Sequence, residues 1–218
     1  MSKTSDDLLY VCEFFASIQG EGSYSGYPCF FIRLSGCNLR CCYCDTKYAF
    51  ARGDSCQIKA LVAAWQKSRI PLVLITGGEP LLQPAVYRLM ENLLHAGATC
   101  LLETNGSLNV ARVPRKVIKI LDWKTPGSGE GRSFRLENLK FLSPKDQIKF
   151  VIVSRTDYEW VLNTARNHFL HNVCEVLLSP ASGDVHPREL AAWMLEDRPV
   201  ARMQIQLHRL LWGDRKGI

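Results

Sequence analysis

The stretch Cys29-Phe30-Phe31-Ile32-Arg33-Leu34-Ser35-Gly36-Cys37-Asn38-Leu39-Arg40-Cys41-Cys42-Tyr43-Cys44-Asp45-Thr46 joins an apolar run to a cysteine-rich loop. Cys29 to Ser35 reads as a strand that ends directly at the loop. Gly36, Asn38 and Arg40 make the continuation a loop rather than a core strand. Cys37, Cys41 and Cys44 have the spacing C-x3-C-x2-C. Three thiolates on one short loop can hold three irons of a cubane iron–sulfur cluster. Ordinary ferredoxin sites supply four cysteines, so here one iron could stay open for a small molecule. Zinc competes for the same donors, but structural zinc sites are closed and usually built from two paired ligand groups. The chain has no second C-x2-C and no H-x3-H. The bland alternative is three buried, inert cysteines, which are common in cores; the loop composition weighs against it. Cys42 is adjacent to Cys41, cannot easily share its geometry, and reads as a bystander.

Outward from this loop, the chain alternates strand and helix patterns. Leu9 to Phe15 reads as a short edge strand, followed by the glycine-rich Ser17-Ile18-Gln19-Gly20-Glu21-Gly22-Ser23-Tyr24-Ser25-Gly26. After the loop, Ser55 is expected to cap a helix over 57–68, with Ile58, Leu61, Val62 and Trp65 on one face. A strand over 72–76 runs into Gly77-Gly78-Glu79-Pro80, and a helix over 84–96 stops at Gly97. Strands follow over 99–102, 117–121, 147–153, 175–178 and 201–206, with a short helix near 136–141. Longer helices run from Ser154 or Thr156 to about 168 and from Pro187 to about 196, the latter the last of the chain. The tail from Trp212 has no periodic pattern. Six or seven strands with intervening helices imply an α/β fold with parallel strands and right-handed crossovers. No linker or internal repeat splits the chain, so one domain over 1–218 is expected.

Composition sets the class. The 218 residues are enough for one sizeable core, and 47% apolar with 22% charged residues is ordinary for a soluble globular protein. Nine cysteines, an odd count, follow a polar start without a signal-peptide pattern, which argues against a secreted disulfide framework and for a reducing cytoplasmic setting. No stretch is long and apolar enough to span a membrane. The net charge of +6 comes from scattered cations; the densest group, Arg112, Arg115, Lys116 and Lys119, reads as a solvated face, so direct nucleic-acid binding is not expected.

The polar loops share one position: 77–80, 103–106, 122–124, 179–182 and His208 all come just after strands, as does the cysteine loop. In parallel α/β folds those ends share one face, where ligands bind. Gly77 and Gly78 suit a ligand pressed against bare backbone. Glu103, Thr104 and Asn105 offer a carboxylate, a hydroxyl and an amide, although an Asn-Gly turn is equally natural. Arg33 interrupts an apolar strand and needs either a carboxylate partner or a solvated face. Lys124 can balance an anionic ligand, with Lys149 a weaker candidate. His208, on its own, reads more simply as a packed or solvated side chain.

The cysteine spacing resembles the radical S-adenosylmethionine (SAM) superfamily. There the open iron of a 4Fe–4S cluster binds the amino and carboxylate groups of SAM and the reduced cluster generates a 5′-deoxyadenosyl radical. The combination of Ser17–Gly22, Arg33–Cys41, Cys44–Thr46, Thr76–Pro80, Glu103–Gly106 and Gln206-Leu207-His208 resembles more closely the 7-carboxy-7-deazaguanine synthase family, over about residues 10–210. That resemblance implies a partial, modified (β/α)6-type radical SAM barrel with parallel strands, and a carbon–nitrogen lyase of 7-deazapurine (queuosine) biosynthesis. Its reaction converts 6-carboxy-5,6,7,8-tetrahydropterin to 7-carboxy-7-deazaguanine with loss of ammonia. It implies a 4Fe–4S cluster on Cys37, Cys41 and Cys44, and Mg2+ on Thr46. SAM would meet Tyr43, Cys44, Asp45 and Gly78, then Asp122, Trp123 and Lys124, and then Ser179, Pro180, Ala181 and Ser182. The pterin would meet Ile18, Gln19, Gly20, Arg33, Thr76 and His208. Glu21 and Glu103 are the candidates for acid–base work. A homodimer and an electron donor such as flavodoxin are further implications. The same loop would also serve an enzyme that places a glycyl radical on a partner protein, a radical SAM enzyme on another carboxylated heterocycle, or a non-enzymatic metal-binding module. Ten residues follow His208, so the family's substrate contact from the chain end is not carried over.

Overall fold

In the computed structural model, residues 7–213, 215 and 217 are described. The chain opens with strands β1 (Leu8–Ile18) and β2 (Pro28–Leu34), then β3 (Asp54–Gln57) and helix α1 (Ile58–Ser68). Next come β4 (Leu72–Gly77), α2 (Val86–His95), β5 (Thr99–Thr104), β6 (Ile118–Asp122), β7 (Gln147–Ile152) and α3 (Arg155–Asn167). The last elements are β8 (Glu175–Pro180), α4 (Pro187–Asp197), β9 (Arg202–Met203) and α5 (Leu207–Trp212). All nine strands form one sheet in the order β3-β1-β2-β4-β5-β6-β7-β8-β9. From β2 to β9 every pairing is parallel, while β1 runs antiparallel to both β2 and β3.

The helices form where the apolar spacing places one face on the sheet. Ile58, Leu61 and Trp65 are the buried residues of α1. Its end is fixed by Arg69 in the left-handed region (φ 58°) and by Trp65 Nε1 donating to Ile70 O at 2.7 Å. Ser154 caps α3 by accepting from Asp157 N at 3.1 Å, and Pro187 opens α4 behind a His186–Glu189 capping box.

Strand alternation then divides the sheet into two faces. Ile32, Ile75, Leu102, Leu121, Ile148 and Leu178 point to the helix-covered face and are buried in two adjoining cores. The opposite face carries Phe31, Leu74 and Leu101 low on the strands and polar side chains at their carboxyl ends. This is an open half-barrel, helices outside, with its inner face turned to a cavity.

The sequence expectations need correction in four places. β1 is longer than expected and is not the edge, because the polar β3 pairs outside it, Leu9 opposite Cys56. Ser55 lies in β3 and does not cap α1; Gln57 occupies that position. The strands are not all parallel. The last strand shrinks to Arg202–Met203, and α4 is followed by α5, so His208 lies on a short helix.

The half-barrel is closed by a loop, not by a strand. The tip of the β1–β2 hairpin reaches across the inner face to the far strands. Gly22 N donates to Gln204 Oε1 at 2.7 Å, Ser23 N to Gln147 Oε1 at 3.0 Å, and Ser23 Oγ to Glu175. Gly22 has φ +73°, and a Cβ there would lie 2.7 Å from Gln147 Oε1, so this close approach needs glycine.

Candidate active site

The carboxyl ends of β2 and β4–β8 open onto one cavity of about 450 Å³, within the size range of small-molecule sites. Cys37, Cys41 and Cys44 form part of its wall, with Tyr43, Asp45 and Thr46 between and beside them. The loop is tied down from three sides. Gly78 N donates to Leu34 O (3.0 Å) and Glu79 N to Gly36 O (2.8 Å). Asn105 Nδ2 donates to Asn38 Oδ1 (3.1 Å), and Asn38 Nδ2 to Ser107 Oγ (2.8 Å). Arg40 stacks its guanidinium 4.2 Å from the Phe50 ring centroid and donates to Cys37 O at 2.9 Å. A Cβ on Gly78 would lie 2.1 Å from Gly36 O and 2.8 Å from Cys37 Cβ, so the glycine is what lets these two loops touch.

Glu79 is fully buried and functions as a tie between loops. Its carboxylate accepts from Leu81 N (3.0 Å), Thr104 Oγ1 (2.8 Å) and Asn105 N (2.7 Å), joining the turn after β4 to the turn after β5. Burial pushes its carboxyl up despite these bonds.

The same cavity holds a charge cluster. Lys149 Nζ lies 2.7 Å from Glu21 Oε2 and 3.2 Å from Asp122 Oδ2, and it also bonds Glu103. Glu21 comes from the hairpin tip, Glu103 from β5, Asp122 from β6 and Lys149 from β7, so four elements meet at one ammonium. Gln206 Nε2 donates to Glu21 Oε1 at 2.9 Å, and Thr76 Oγ1 to Glu103 Oε2 at 3.1 Å. Lys124 Nζ is 2.9 Å from Asp122 Oδ2 and 5.4 Å from the Tyr43 ring centroid. Burial alone would raise the carboxyls of Glu21 and Asp122; Lys149 on the first and Lys124 with Lys149 on the second override it and lower both. Burial would likewise lower the two ammoniums, but the facing anions raise both.

The structure brings nearly all the expected site residues to this cavity. Gln19, Arg33, Thr76 and His208 line it, as do Gly78, Asp122, Lys124 and Ser179 to Ser182. Three do not line it. Trp123 is turned by strand parity into the helix-side core, stacked on Phe134 at 3.9 Å between centroids. Ile18 and Gly20 are not part of the wall, although Gly20 O accepts from Leu207 N at 3.0 Å and so seats α5. Arg33 finds its carboxylate within the chain: its Nε donates to Glu13 Oε1 at 2.8 Å, directly across the hairpin, and Tyr48 Oη donates to the same oxygen at 2.7 Å. Lys149, a weaker candidate than Lys124 by sequence, is the centre of the cluster. Its signal was its position near the end of a strand. Gln206 carried the signal of the Gln-Leu-His motif.

The donor set fits an iron–sulfur cluster with a bound zwitterion. Among the described residues no three His, Cys, Asp or Glu side chains are drawn together around a single ion; a cubane, with one thiolate per iron, asks for no such closure. Burial pushes Cys41 up to about 11 and raises Cys44, so both await a positive centre to hold them as thiolates. Tyr43 Oη and Asp122 Oδ1 are buried without hydrogen-bond partners, a polar capacity that a ligand between the thiols and the charge cluster would meet.

A family model of the radical SAM superfamily matches residues 31–125, the stretch from β2 through the cysteine loop to the turn after β6. The half-barrel and its thiol-bearing loop are thus those of a radical SAM enzyme, a class whose chemistry rests on a 4Fe–4S cluster and SAM. The chain is 44% identical to a 7-carboxy-7-deazaguanine synthase of Koribacter versatilis, over 96% of this chain and all of the relative. It is 40% identical to one of Chlorobaculum tepidum, over 96% and 97%. The crystal structure of QueE from Escherichia coli superposes with a TM-score of 0.77 at 23% identity, covering 92% of this chain and 95% of that one. The chain belongs to the 7-carboxy-7-deazaguanine synthase family.

Proposed function

We propose that this chain converts 6-carboxy-5,6,7,8-tetrahydropterin to 7-carboxy-7-deazaguanine with release of ammonia, as a single domain in queuosine-type biosynthesis. The observation that carries the reading is that one cavity is lined both by three loop thiols and by the Glu21–Glu103–Lys149 cluster. Cys37, Cys41 and Cys44 would hold a 4Fe–4S cluster, which with SAM bound would supply radical hydrogen-abstraction chemistry. The chain's own residues bind, orient and enclose. Lys124 and Asp122, beside Tyr43, face the cluster side and suit the charged ends of SAM. Bare backbone at Gly78 and the turn Ser179–Ser182 complete that side. Gln19, Thr76 and Arg33 face a heterocycle lying over Phe31 and Leu74; Arg33 has its Nε held by Glu13, which fixes its fork towards the cavity. His208 packs against the hairpin tip and closes the far side. Glu21 and Glu103, hydrogen-bonded to Lys149, are positioned to accept or return a proton when ammonia leaves.

Four finer assignments belong to the same proposal. Thr46 would offer its hydroxyl oxygen to Mg2+, which would supply Lewis-acid charge to the substrate; that hydroxyl donates to Asp45 Oδ1 at 2.7 Å. The protein works in the cytoplasm as a homodimer and takes electrons from a flavodoxin-like donor. Among the described residues no helix is long and apolar enough to cross a membrane.

The test is an anaerobic assay of reconstituted protein with reductant, SAM, Mg2+ and 6-carboxytetrahydropterin, read by mass spectrometry. The expected result is 7-carboxy-7-deazaguanine with SAM not consumed stoichiometrically, and no product from Cys41→Ala. Formation of 5′-deoxyadenosine with the pterin untouched would overturn the substrate. A fully loaded protein that never cleaves SAM would overturn the enzyme reading.

A further inference from the structure

The glycine-rich segment 125–130, after the site lysine, contributes little to the cavity wall, yet it is bonded on both sides. Below, it is anchored to α3 through Asp157, only 2% exposed. Asp157 Oδ2 accepts from Thr125 Oγ1 at 2.7 Å and Oδ1 from Gly127 N at 2.9 Å. The fit at Gly127 is close: a Cβ there would lie 2.3 Å from Val153 Cγ2 and 2.6 Å from Asp157 Oδ2. The segment is then braced internally, Ser128 Oγ donating to Thr125 O (2.6 Å) and accepting from Glu130 N (3.0 Å).

Above, the same segment grips the cysteine loop at the residues that flank Cys41. Arg40 N donates to Glu130 Oε1 at 2.6 Å. Cys42 N donates to Ser128 O at 3.0 Å, and Cys42 Sγ to Gly127 O at 3.2 Å. Both peptide neighbours of the middle cysteine are therefore held by one strap, and the strap is held by a buried aspartate on a helix. Loops that place reacting groups hold position only as well as the shell behind them.

We infer that segment 125–130 is a positioning strap for Cys41, with Glu130 as its outer clasp and Asp157 as its anchor. The role rests on the proposed reading of Cys41 as a cluster ligand. It gives the cysteine next to Cys41 a purpose as well: Cys42 fastens the loop without ligating iron.

Glu130 can be tested without disturbing the core. Glu130→Ala removes the acceptor for Arg40 N, and Glu130→Gln keeps an acceptor while removing the charge. Two readouts do not depend on turnover. One is the rate of iron loss from anaerobically reconstituted protein to an excess of ferrous chelator. The other is the rate of Cys41 alkylation by iodoacetamide in the apoprotein, resolved by peptide mass spectrometry. Losing one hydrogen bond predicts about a tenfold acceleration of both in Glu130→Ala, with rates near wild type in Glu130→Gln. Equal rates in wild type and Glu130→Ala would overturn the strap. So would equal acceleration in both variants, since the effect would then follow the charge. If iron binding proves independent of Cys41, the cluster reading falls, while Cys41 alkylation still judges the strap by itself.

Discussion

Replacing Lys149 by methionine removes the ammonium shared by Glu21, Glu103 and Asp122, a side chain only 6% exposed. Asp122 keeps Lys124 at 2.9 Å, but Glu21 and Glu103 retain uncharged hydrogen-bond donors, Gln204 and Gln206 on the first and Thr76 on the second. Two half-buried carboxylates that had bonded to one cation then face each other, and the cheapest relief is for one of them to take a proton. At pH 7, protonating a glutamate of ordinary pKa about 4.3 costs about 3.7 kcal/mol, falling to about 1 kcal/mol at pH 5. The larger value lies within the roughly 3–5 kcal/mol seen when one partner of a buried ion pair is removed. The sign follows from the direction of the shifts. In the wild type, burial is overridden by lysine and the carboxyls of Glu21 and Asp122 are lowered. The stability they contribute is therefore present above the ordinary carboxylate range and is lost only as pH falls through the lowered values. From pH 7 to 5 that contribution stays constant. In Lys149→Met one folded-state carboxyl is raised, so the native state takes up a proton and the deficit shrinks as pH falls. Urea unfolding of the anaerobic apoprotein at pH 7, 6 and 5 reads this directly. A deficit below about 1 kcal/mol at pH 7, or one unchanged at pH 5, would refute the shared-ammonium account.

Three other perturbations separate the parts of the site. Gly78→Ala places a Cβ 2.1 Å from Gly36 O; it should displace the cysteine loop and lower iron per chain after reconstitution, while far-ultraviolet circular dichroism stays unchanged. Gly20→Ala meets His208 Nδ1 at 2.1 Å and the His208 backbone nitrogen at 2.9 Å, so α5 should come away from the hairpin tip, seen as faster hydrogen exchange across 207–212 with iron content retained. Lys119→Met leaves Asp146, fully buried and 3.1 Å from that ammonium, without its cation. Because this pair lies at the far end of β6 from the cavity, stability should fall by about 3–5 kcal/mol with no change in iron binding.

Much of the site was legible because its chemistry is carried by loops that follow strands. The thiol spacing, the glycines before Glu79 and the acid at 103 could all be placed on one face from topology alone. Errors arose where position depends on parity or on a partner distant in sequence. Trp123 lies between two cavity residues, and a strand turns alternate side chains to opposite faces, so its neighbours' role did not extend to it. β3, Asp-Ser-Cys-Gln, has no apolar alternation; it is a strand because β1 offers it an edge. Arg33 posed a choice between a carboxylate and solvent, and Glu13 settles it only once the hairpin register is known. Lys149 was undervalued because three acids from three other elements converge on it, which no local pattern records. α5 is short and has no buried residue; its signal is a set of bonds to residues 20 and 21, not an apolar stripe.

The hairpin tip that closes the half-barrel imposes an order of events during synthesis. Its bonds join Glu21 to Lys149, Ser23 to Gln147 and Gly22 to Gln204 across separations of 128, 124 and 182 residues. The three loop thiols leave the ribosome early, but Gln206, which braces Glu21, follows Cys44 by ~160 residues, roughly 8–30 s at about 5–20 residues per second. Lys149, the centre of the charge cluster, follows about two thirds of the way through that interval, and the brace on Glu21 comes only at its end. A cluster taken up by the three thiols before Gln206 has emerged would therefore face a site whose Glu21 still lacks its brace.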